Sequence, residues 1–492
     1  MLERQIEMHR TMKKLICRTQ KWTLGLGLCV LAASGVIARA EAGGGKSGLR
    51  QWLEQDYMLG DWGGLRTRLR EEHGVDFEFM YAATVPMAVG GGLQSGSVYE
   101  GGLLMMLNVD TAKLGAWENG SFRASSLSMH SGDEFALNYV GDLNKTSLLD
   151  FPDTFRLWEL FYEHKFFDGK LSVKAGQLDI GMDFIVPEYY NSVGQLSFLN
   201  QTFFFPTMAF NVYDQPYFPV GNHALAATPY AAPGVRVRYD ICPSVYVQAG
   251  VYDGNPDRGF SGTDFDLRKE EGALSYFEVG FKHNQGKDAT GLPGNFKIGA
   301  WYHTDDFYDM YEGTFVAFDN YVAANGLPLP PVSTGNATPR QGNSGFYILV
   351  DHVLWREPGQ TEPTQQGLAG FFRVAGAPRN RNLAQVGIDG GLVYKGLIPT
   401  RDWDTFGVAL SYLEISDELR RAQADINAAF GAFGPVLPEA DYEAVLEVNY
   451  KAQVAAWCAV DLSLQRVFHP GGRVVAEIPD AWAFIVQTTF RF

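Results

Sequence analysis

From Asp76 to Phe492 the chain alternates between apolar and polar positions in sixteen segments of eight to twelve residues. They run 76–87, 101–112, 121–131, 155–166, 171–180, 233–241, 245–252, 274–284, 295–304, 345–356, 367–376, 385–395, 404–415, 443–454, 458–466 and 481–492. Side chains of a strand point to opposite faces in turn, so a period of two predicts strands with two unlike faces. In 443–454, Ala444, Leu446, Val448 and Tyr450 oppose Glu443, Glu447, Asn449, Lys451 and Gln453. In 233–241, Val235, Val237 and Tyr239 oppose Arg236, Arg238 and Asp240, and in 404–415 Phe406, Val408, Leu410 and Tyr412 oppose Gly407, Ala409 and Ser411. The segment 121–131 is less regular, because Arg123, Ser126 and Ser128 fall on both faces.

Connections after odd-numbered strands are generally long (88–100, 132–154, 181–232, 253–273, 305–344, 416–442 and 467–480). Those after even-numbered strands are generally short, as in Phe167-Asp168-Gly169-Lys170, Cys242-Pro243-Ser244 and Ala455-Ala456-Trp457. The last strand ends on Phe492, with Trp482, Phe484, Val486, Thr488 and Phe490 on the same face. A spanning sheet tolerates no open edge in lipid, so a terminal strand of this kind predicts closure onto the first. The expectation is an all-β fold, a transmembrane antiparallel barrel of sixteen strands in the outer membrane of a Gram-negative-type bacterium. Arg or Lys on its lipid side would cost about 2–4 kcal/mol at mid-membrane, so the charged rows face a wet lumen.

The other end of the chain reads as an export signal. Lys13, Lys14, Arg18 and Lys21 precede the apolar run 22–37, and small residues at Ala38, Ala40 and Ala42 suit cleavage after Ala40 or Ala42. Translation from Met12 is compatible with that reading. Cys29 follows Leu28 rather than the small residue a lipoprotein site needs. The organisation expected is therefore a signal peptide at 1–40, a periplasmic leader with a short helix at 41–75, and the barrel at 76–492. Leu65 and Leu69, with Gly74 as a stop, predict that helix at two turns. Gly43-Gly44-Gly45-Lys46-Ser47 lacks the first glycine of a phosphate loop, Ala40 standing there, and no strand precedes it.

Composition supports the class. Glycine numbers 55 and aromatics reach 14%, while mean hydropathy is −0.12 and no run beyond the signal has the roughly 20 apolar residues of a spanning helix. Losing residues 1–40 removes seven basic and two acidic groups from 40 and 56, leaving 33 and 54 and a net charge of −21. That acidity disfavours nucleic acid as a partner and disfavours a cationic phosphate channel. Cys242 and Cys458 lie in short turns far apart in the chain and are expected to be unpaired thiols. Glu159 and Glu163 share a face, yet four residues of strand span about 13 Å, beyond the roughly 5–9.5 Å of glycosidase carboxylates. His73, His164, His283, His303 and His352 are scattered. No catalytic, metal or cofactor site is expected, and the chain is not expected to be an enzyme.

Gly60-Asp61-Trp62-Gly63-Gly64-Leu65-Arg66 ahead of a short helix resembles the entry motif of the carbohydrate-selective porins of the OprB type. Further similarity lies at Trp158-Glu159, Gly176-Gln177-Leu178-Asp179, Asp183-Phe184, Ala249–Pro256, Gly299–His303, Tyr394–Pro399, Arg401-Asp402 and His469–Gly472, covering nearly all of 59–492. Asp461-Leu462-Ser463-Leu464-Gln465 departs from the family pattern, which has a proline ahead of the Gln. The resemblance implies a sixteen-stranded barrel that passes small neutral sugars, monosaccharides such as glucose among them, by facilitated diffusion. Competing readings are a general diffusion porin and an outer-membrane barrel enzyme or adhesin. Partners expected are outer-membrane lipid and the barrel-assembly machinery, which would read the strand ending at Phe492.

Connection 181–232 is about fifty residues long and holds twelve aromatics: Phe184, Tyr189, Tyr190, Phe198, Phe203, Phe204, Phe205, Phe210, Tyr213, Tyr217, Phe218 and Tyr230. So long a loop is usually functional, and here it is expected to fold inward as the constriction. Sugars offer apolar C–H faces and a rim of hydroxyls, which call for aromatic platforms beside charged groups. The candidate lining is Phe203, Phe204 and Phe205 with the inward wall groups Glu159, Glu163, Lys174, Arg236, Arg238, Glu278, Asp351, Arg373, Asp389 and Glu447. Luminal ion pairs that only keep the wall rigid account for part of such a set, and loop aromatics that only pack account for most of theirs.

Overall fold

The computed structural model describes residues 48–188, 197–205, 228–256, 259–265, 271–285, 289–327, 331, 333, 335–359, 366–430 and 436–492. The expected signal peptide 1–40, the expected leader at Gly43–Ser47, and Tyr189, Tyr190, Phe210, Tyr213, Tyr217 and Phe218 lie outside them. Sixteen antiparallel strands form the wall: β1 (Val75–Gly90), β2 (Glu100–Asp110), β3 (Gly120–Ser131), β4 (Thr154–Phe166), β5 (Leu171–Leu178), β6 (Ala232–Cys242), β7 (Val245–Asp253) and β8 (Ala273–His283). The circuit continues with β9 (Gly294–Tyr308), β10 (Pro339–Arg356), β11 (Gly367–Gly376), β12 (Ala384–Lys395), β13 (Thr405–Ile415), β14 (Tyr442–Ala455), β15 (Cys458–Phe468) and β16 (Ala481–Arg491). Each pairs with its sequence neighbours, and β16 pairs with β1 from Met80↔Arg491 to Gly90↔Trp482, which closes the sheet. A two-residue bridge, Gly96–Ser97, returns onto Met87 and Ala88.

Alternation partitions the wall as the sequence pattern requires. Along β6, Val235, Val237, Tyr239 and Ile241 are exposed on the outside while Arg236 is buried within. Along β13, Val408 and Leu410 face out, and Ala409 and Ser411 face in. β3 itself alternates without a break, with Ser125, Leu127 and Met129 buried inward and Ser126 and Ser128 on the other face; its pattern is blurred because its inner face is apolar. The register shift between β3 and β4 places a bulge in β4, where the consecutive residues Trp158 and Glu159 are both buried.

The short-turn end is capped by the chain's beginning. Helix α1 (Gly48–Leu53) sets Trp52 against Trp457 of the β14–β15 turn, ring centroids 4.3 Å apart. Helix α2 (Leu65–Glu72) matches the expected two turns; it follows Gly63 and Gly64, whose φ of 68° and 87° suits glycine. From α2, buried Arg66 donates to the carbonyl oxygens of Phe77 and Phe492, with its guanidinium 3.5 Å over the Tyr57 ring. Met58 N donates to Arg491 O at 2.8 Å. The leader thus fastens the seam where β1 meets β16.

Three details depart from the sequence reading. Residues 310–324 and 417–430, expected as plain connections, carry helices α4 (Met310–Ala324) and α5 (Asp417–Phe430), which pack through Phe318, Val322 and Ile426; the short helix α3 (Gln201–Phe204) precedes them. The β9–β10 hairpin is taller than expected, β9 running to Tyr308 and β10 starting at Pro339, because its ladder continues past a bulge at His303/Asp306. Cys242 and Cys458 end and begin strands rather than occupying turns, and both are free.

The barrel is not hollow. Residues 132–153 (L2) and the described parts of the next long connection (L3: 179–188, 197–205 and 228–231) fold inside it, and a core of Ile180, Phe184, Tyr276, Trp301, Tyr347 and Leu413 packs in the lumen against β5–β13.

Candidate functional site

What holds L3 inside is a set of wall side chains that bond its backbone. Glu278 of β8 accepts Ile185 N at 3.1 Å, and also the hydroxyls of Tyr246 (2.7 Å) and Tyr347 (2.9 Å). Asp351 of β10 accepts Glu188 N at 3.0 Å. Glu447 of β14 accepts Leu199 N and Asn200 N at 2.8 and 2.9 Å. Arg373 of β11 donates to Thr202 O at 2.8 Å and is paired with Asp389 at 2.7 Å. Lys297 of β9 donates to Val186 O at 2.6 Å and meets the Glu188 carboxylate at 2.9 Å. A loop taken out of bulk water must find partners for its N–H and C=O groups, and these charges supply them.

Where L3 leaves β5, two cations and two carboxylates form a balanced network. Lys174 Nζ lies 2.8 Å from Asp183, and Arg236 reaches both Asp183 and Glu163 at 3.3 Å. Burial pushes the Asp183 carboxyl up, but Lys174 and Arg236 together outweigh it and hold the group below the usual carboxylate range. Arg238 pairs with Asp240 at 3.2 Å and stands 3.8 Å over the Tyr246 ring.

Among the described residues, the opposite side of the lumen, along β1–β4 and β14–β16, holds two separate spaces beside a buried cluster of Leu104, Leu127, Met129, Leu149, Phe151 and Trp158. Near the short-turn end a cavity of about 290 Å³ is lined by Asp76, Asn108, Arg123, Phe161, Glu163 and Lys174, with Arg70 of α2 at its rim. The register lays Asp76, Asn108 and Arg123 side by side on β1, β2 and β3, and Arg123 Nε donates to Asn108 Oδ1 at 2.8 Å. Arg123 also lies 3.8 Å from Glu159, whose Oε2 receives no hydrogen bond among the described residues. Charges of both signs meet in this stage.

Above it, a narrower space of about 110 Å³ lies between the seam wall and the two inner loops. Two rows face it: Met80, Leu104 and Leu127, then Ala82, Gly102 and Met129, each set adjacent across β1, β2 and β3. Leu149 of L2 closes against Gly102, where an added Cβ would come within 3.1 Å of its side chain. Leu148 and Phe151 of L2, Trp158 of β4 and Phe204 and Phe205 of L3 add to the apolar lining; Thr228 of L3, Lys451 of β14 and Gln487 and Thr489 of β16 are its polar members.

The sequence-selected residues therefore fall into groups. Glu163, Lys174, Phe204 and Phe205 line the two spaces; Glu278, Asp351, Arg373, Asp389 and Glu447 hold L3, as do Lys174 and Arg236 through Asp183 and Glu159 through Asp179 N; Arg238 stands in the wall. Phe203 is buried against Phe198 and Phe371, at 5.2 and 6.3 Å between ring centroids. Sequence reasoning missed Asp76, Asn108 and Lys297, and left Arg123 unassigned. Lys297 was accessible, since Phe296 and Ile298 on either side of it face outward. Arg123 was obscured because Leu127 and Met129, which share its inward face, are apolar.

The family profile described as carbohydrate-selective porin, OprB family, matches residues 94–492. Porin B of Pseudomonas aeruginosa is 27% identical over 486 residues, covering 94% of this chain and 96% of that protein. The structure of Pseudomonas putida OprB at high pH superposes with a TM-score of 0.73 at 22% identity, covering 89% of this chain and 99% of that one. The low-pH structure of the same protein gives 0.51 at 18% identity over 89% and 99%.

Proposed function

The chain belongs to the carbohydrate-selective porin family of the OprB type, and from that membership we propose how its lumen passes sugar. It is an outer-membrane channel, not an enzyme, and small carbohydrates cross it passively. In our reading neutral monosaccharides, glucose among them, enter from the long-loop end and move along the β1–β4 and β14–β16 side. They slide with a C–H face against the apolar rows and then meet Arg123, Asn108, Glu163 and Lys174. There ionic partners replace part of the hydration of the hydroxyls. Both signs of charge stand together, so the lower stage does not favour ions over a neutral solute. Binding stays weak, because each stage offers only one wetted side and the solute must leave.

The observation that carries this reading is the division of the lumen, with L3 bound to one wall and an aromatic-edged space left along the other. Swelling of liposomes containing the protein tests it. Glucose is expected to enter faster than sorbitol, a polyol of similar size. Equal rates would make the chain a general diffusion porin, and no swelling would remove the channel reading altogether.

Residues 1–40 act in this account as the export signal, and amino-terminal sequencing of the envelope protein should begin after Ala40 or Ala42. The terminal strand ending at Phe492 is the segment offered to the barrel-assembly machinery. Appending a polar tag after Phe492 should lower the amount assembled, and unchanged assembly would oppose that role.

A further inference from the structure

We propose that the upper stage selects for sugars with a hydroxyl-poor edge, so that 6-deoxyhexoses pass faster than the parent hexoses. The inference rests on the sugar-channel reading and names the substrate class within it. Its basis is the one-sidedness of the upper space. Met80, Leu104 and Leu127 make an unbroken apolar row across three strands, with Met129 beside them in the next row. None of these side chains can donate a conventional hydrogen bond to a sugar.

The polar groups nearest to this face are already committed. Trp158 has one donor, and it is given to Asp179 at 2.8 Å, so the ring's carbon face is what meets the space. The Thr228 hydroxyl also donates to Asp179. Phe204 and Phe205 stand edge to face, centroids 4.1 Å apart. Among the described residues that line the space, the polar partners other than Thr228 lie on the other edge, where the register sets Lys451, Asp461 and Gln487 across β14, β15 and β16. Even there, Gln487 Oε1 already accepts Thr84 Oγ1 at 3.0 Å.

A hexose carries hydroxyls around its whole rim, and one turned toward the β1–β3 rows loses water and gains no partner. D-fucose differs from D-galactose only by a methyl where galactose has CH₂OH. That methyl can lie on the apolar rows while the ring hydroxyls face Gln487 and Thr489. Pockets of this kind discriminate by the unpaired group rather than by size.

The test is the swelling rate of liposomes carrying the mature chain, in D-fucose and in D-galactose at equal osmolarity, each corrected for protein-free liposomes. D-fucose is expected to enter at least about threefold faster. Met129→Gln, close in shape but with a donor and an acceptor, should bring the ratio near one with D-galactose accelerated. Equal rates in the wild-type protein, or faster D-galactose, would overturn the proposal while leaving the sugar-channel reading in place. A D-fucose preference unchanged by Met129→Gln and by Leu127→Gln would also overturn it, since the selection would then lie elsewhere. Entry of neither sugar would remove both readings together.

Discussion

Glu447→Gln should release L3 from the wall without disturbing the barrel. The two carboxylate oxygens have separate duties: Oε1 accepts Leu199 N at 2.8 Å and Oε2 accepts Asn200 N at 2.9 Å. Oε1 also accepts Ser463 Oγ at 2.8 Å. A glutamine fits the same space but keeps one acceptor, so whichever way its amide turns, one buried N–H faces an NH₂ group. An orphaned buried donor costs about 1–3 kcal/mol, and losing the charge from the surviving bond adds about 1 kcal/mol. The docked loop segment is therefore destabilised by about 2–4 kcal/mol. Since each 1.4 kcal/mol is tenfold, local opening should become roughly 30- to 1,000-fold more frequent. Hydrogen exchange on the protein in micelles reads this directly at the Leu199 and Asn200 amides. Single-channel current should become noisier and larger as the loop leaves the lumen. Exchange within threefold of the wild-type rate would refute the claim that wall carboxylates hold this loop by its backbone.

Other substitutions separate the structural from the lining residues. Phe203→Ala, which empties the contact with Phe198 and Phe371, should destabilise by about 3–5 kcal/mol and show as easier thermal unfolding. Phe204→Ala with Phe205→Ala should instead weaken the saturation of sugar flux with a smaller effect on melting, and unchanged saturation would count against their place in the passage. Arg66→Lys keeps a charge but cannot serve the carbonyls of Phe77 and Phe492 at once; it should lower the temperature at which the folded barrel converts to the unfolded band on gels. Asp183 is held below its ordinary range, so its stabilising contribution is complete above about pH 4, the unfolded value, and is lost as pH falls through the lowered one. The melting difference between wild type and Asp183→Asn should accordingly be large at pH 7 and shrink toward zero in strong acid. A difference that grew on acidification would contradict the assignment.

The wall was legible in the sequence because lipid outside and polar contacts inside impose one rule on most strands, β1–β3 with their apolar inner rows being the exception. Val235, Val237 and Tyr239 against Arg236 and Arg238 state that rule in five residues. Helices α4 and α5 were less visible, since helical spacing hides inside long connections, yet local signals existed. The Asp309 side chain accepts from Tyr311 N and Glu312 N as an N-cap, with Glu312 three residues on. Leu419, Ala422 and Ile426 are buried at helical spacing in α5. The division of labour among inward charges lay beyond the pattern. Glu447 and Glu163 read alike as mid-strand carboxylates, but one meets loop N–H groups and the other lines a cavity, and only the path of L3 decides which. The apolar rows needed register as well, because Leu104 and Leu127 become neighbours only once β2 and β3 are aligned.

The most direct test of the pathway is blockage of single channels by a bulky, charged thiol reagent, with Cys242 and Cys458 replaced by serine. Met129→Cys lies on the side the account assigns to sugar, and Ala369→Cys lies in the cluster with Phe198, Phe203 and Phe371 on the filled side. The account predicts a stepwise fall in conductance for Met129→Cys and none for Ala369→Cys. Blockage at Ala369 with an unaffected Met129 would place the passage on the wrong side of the barrel.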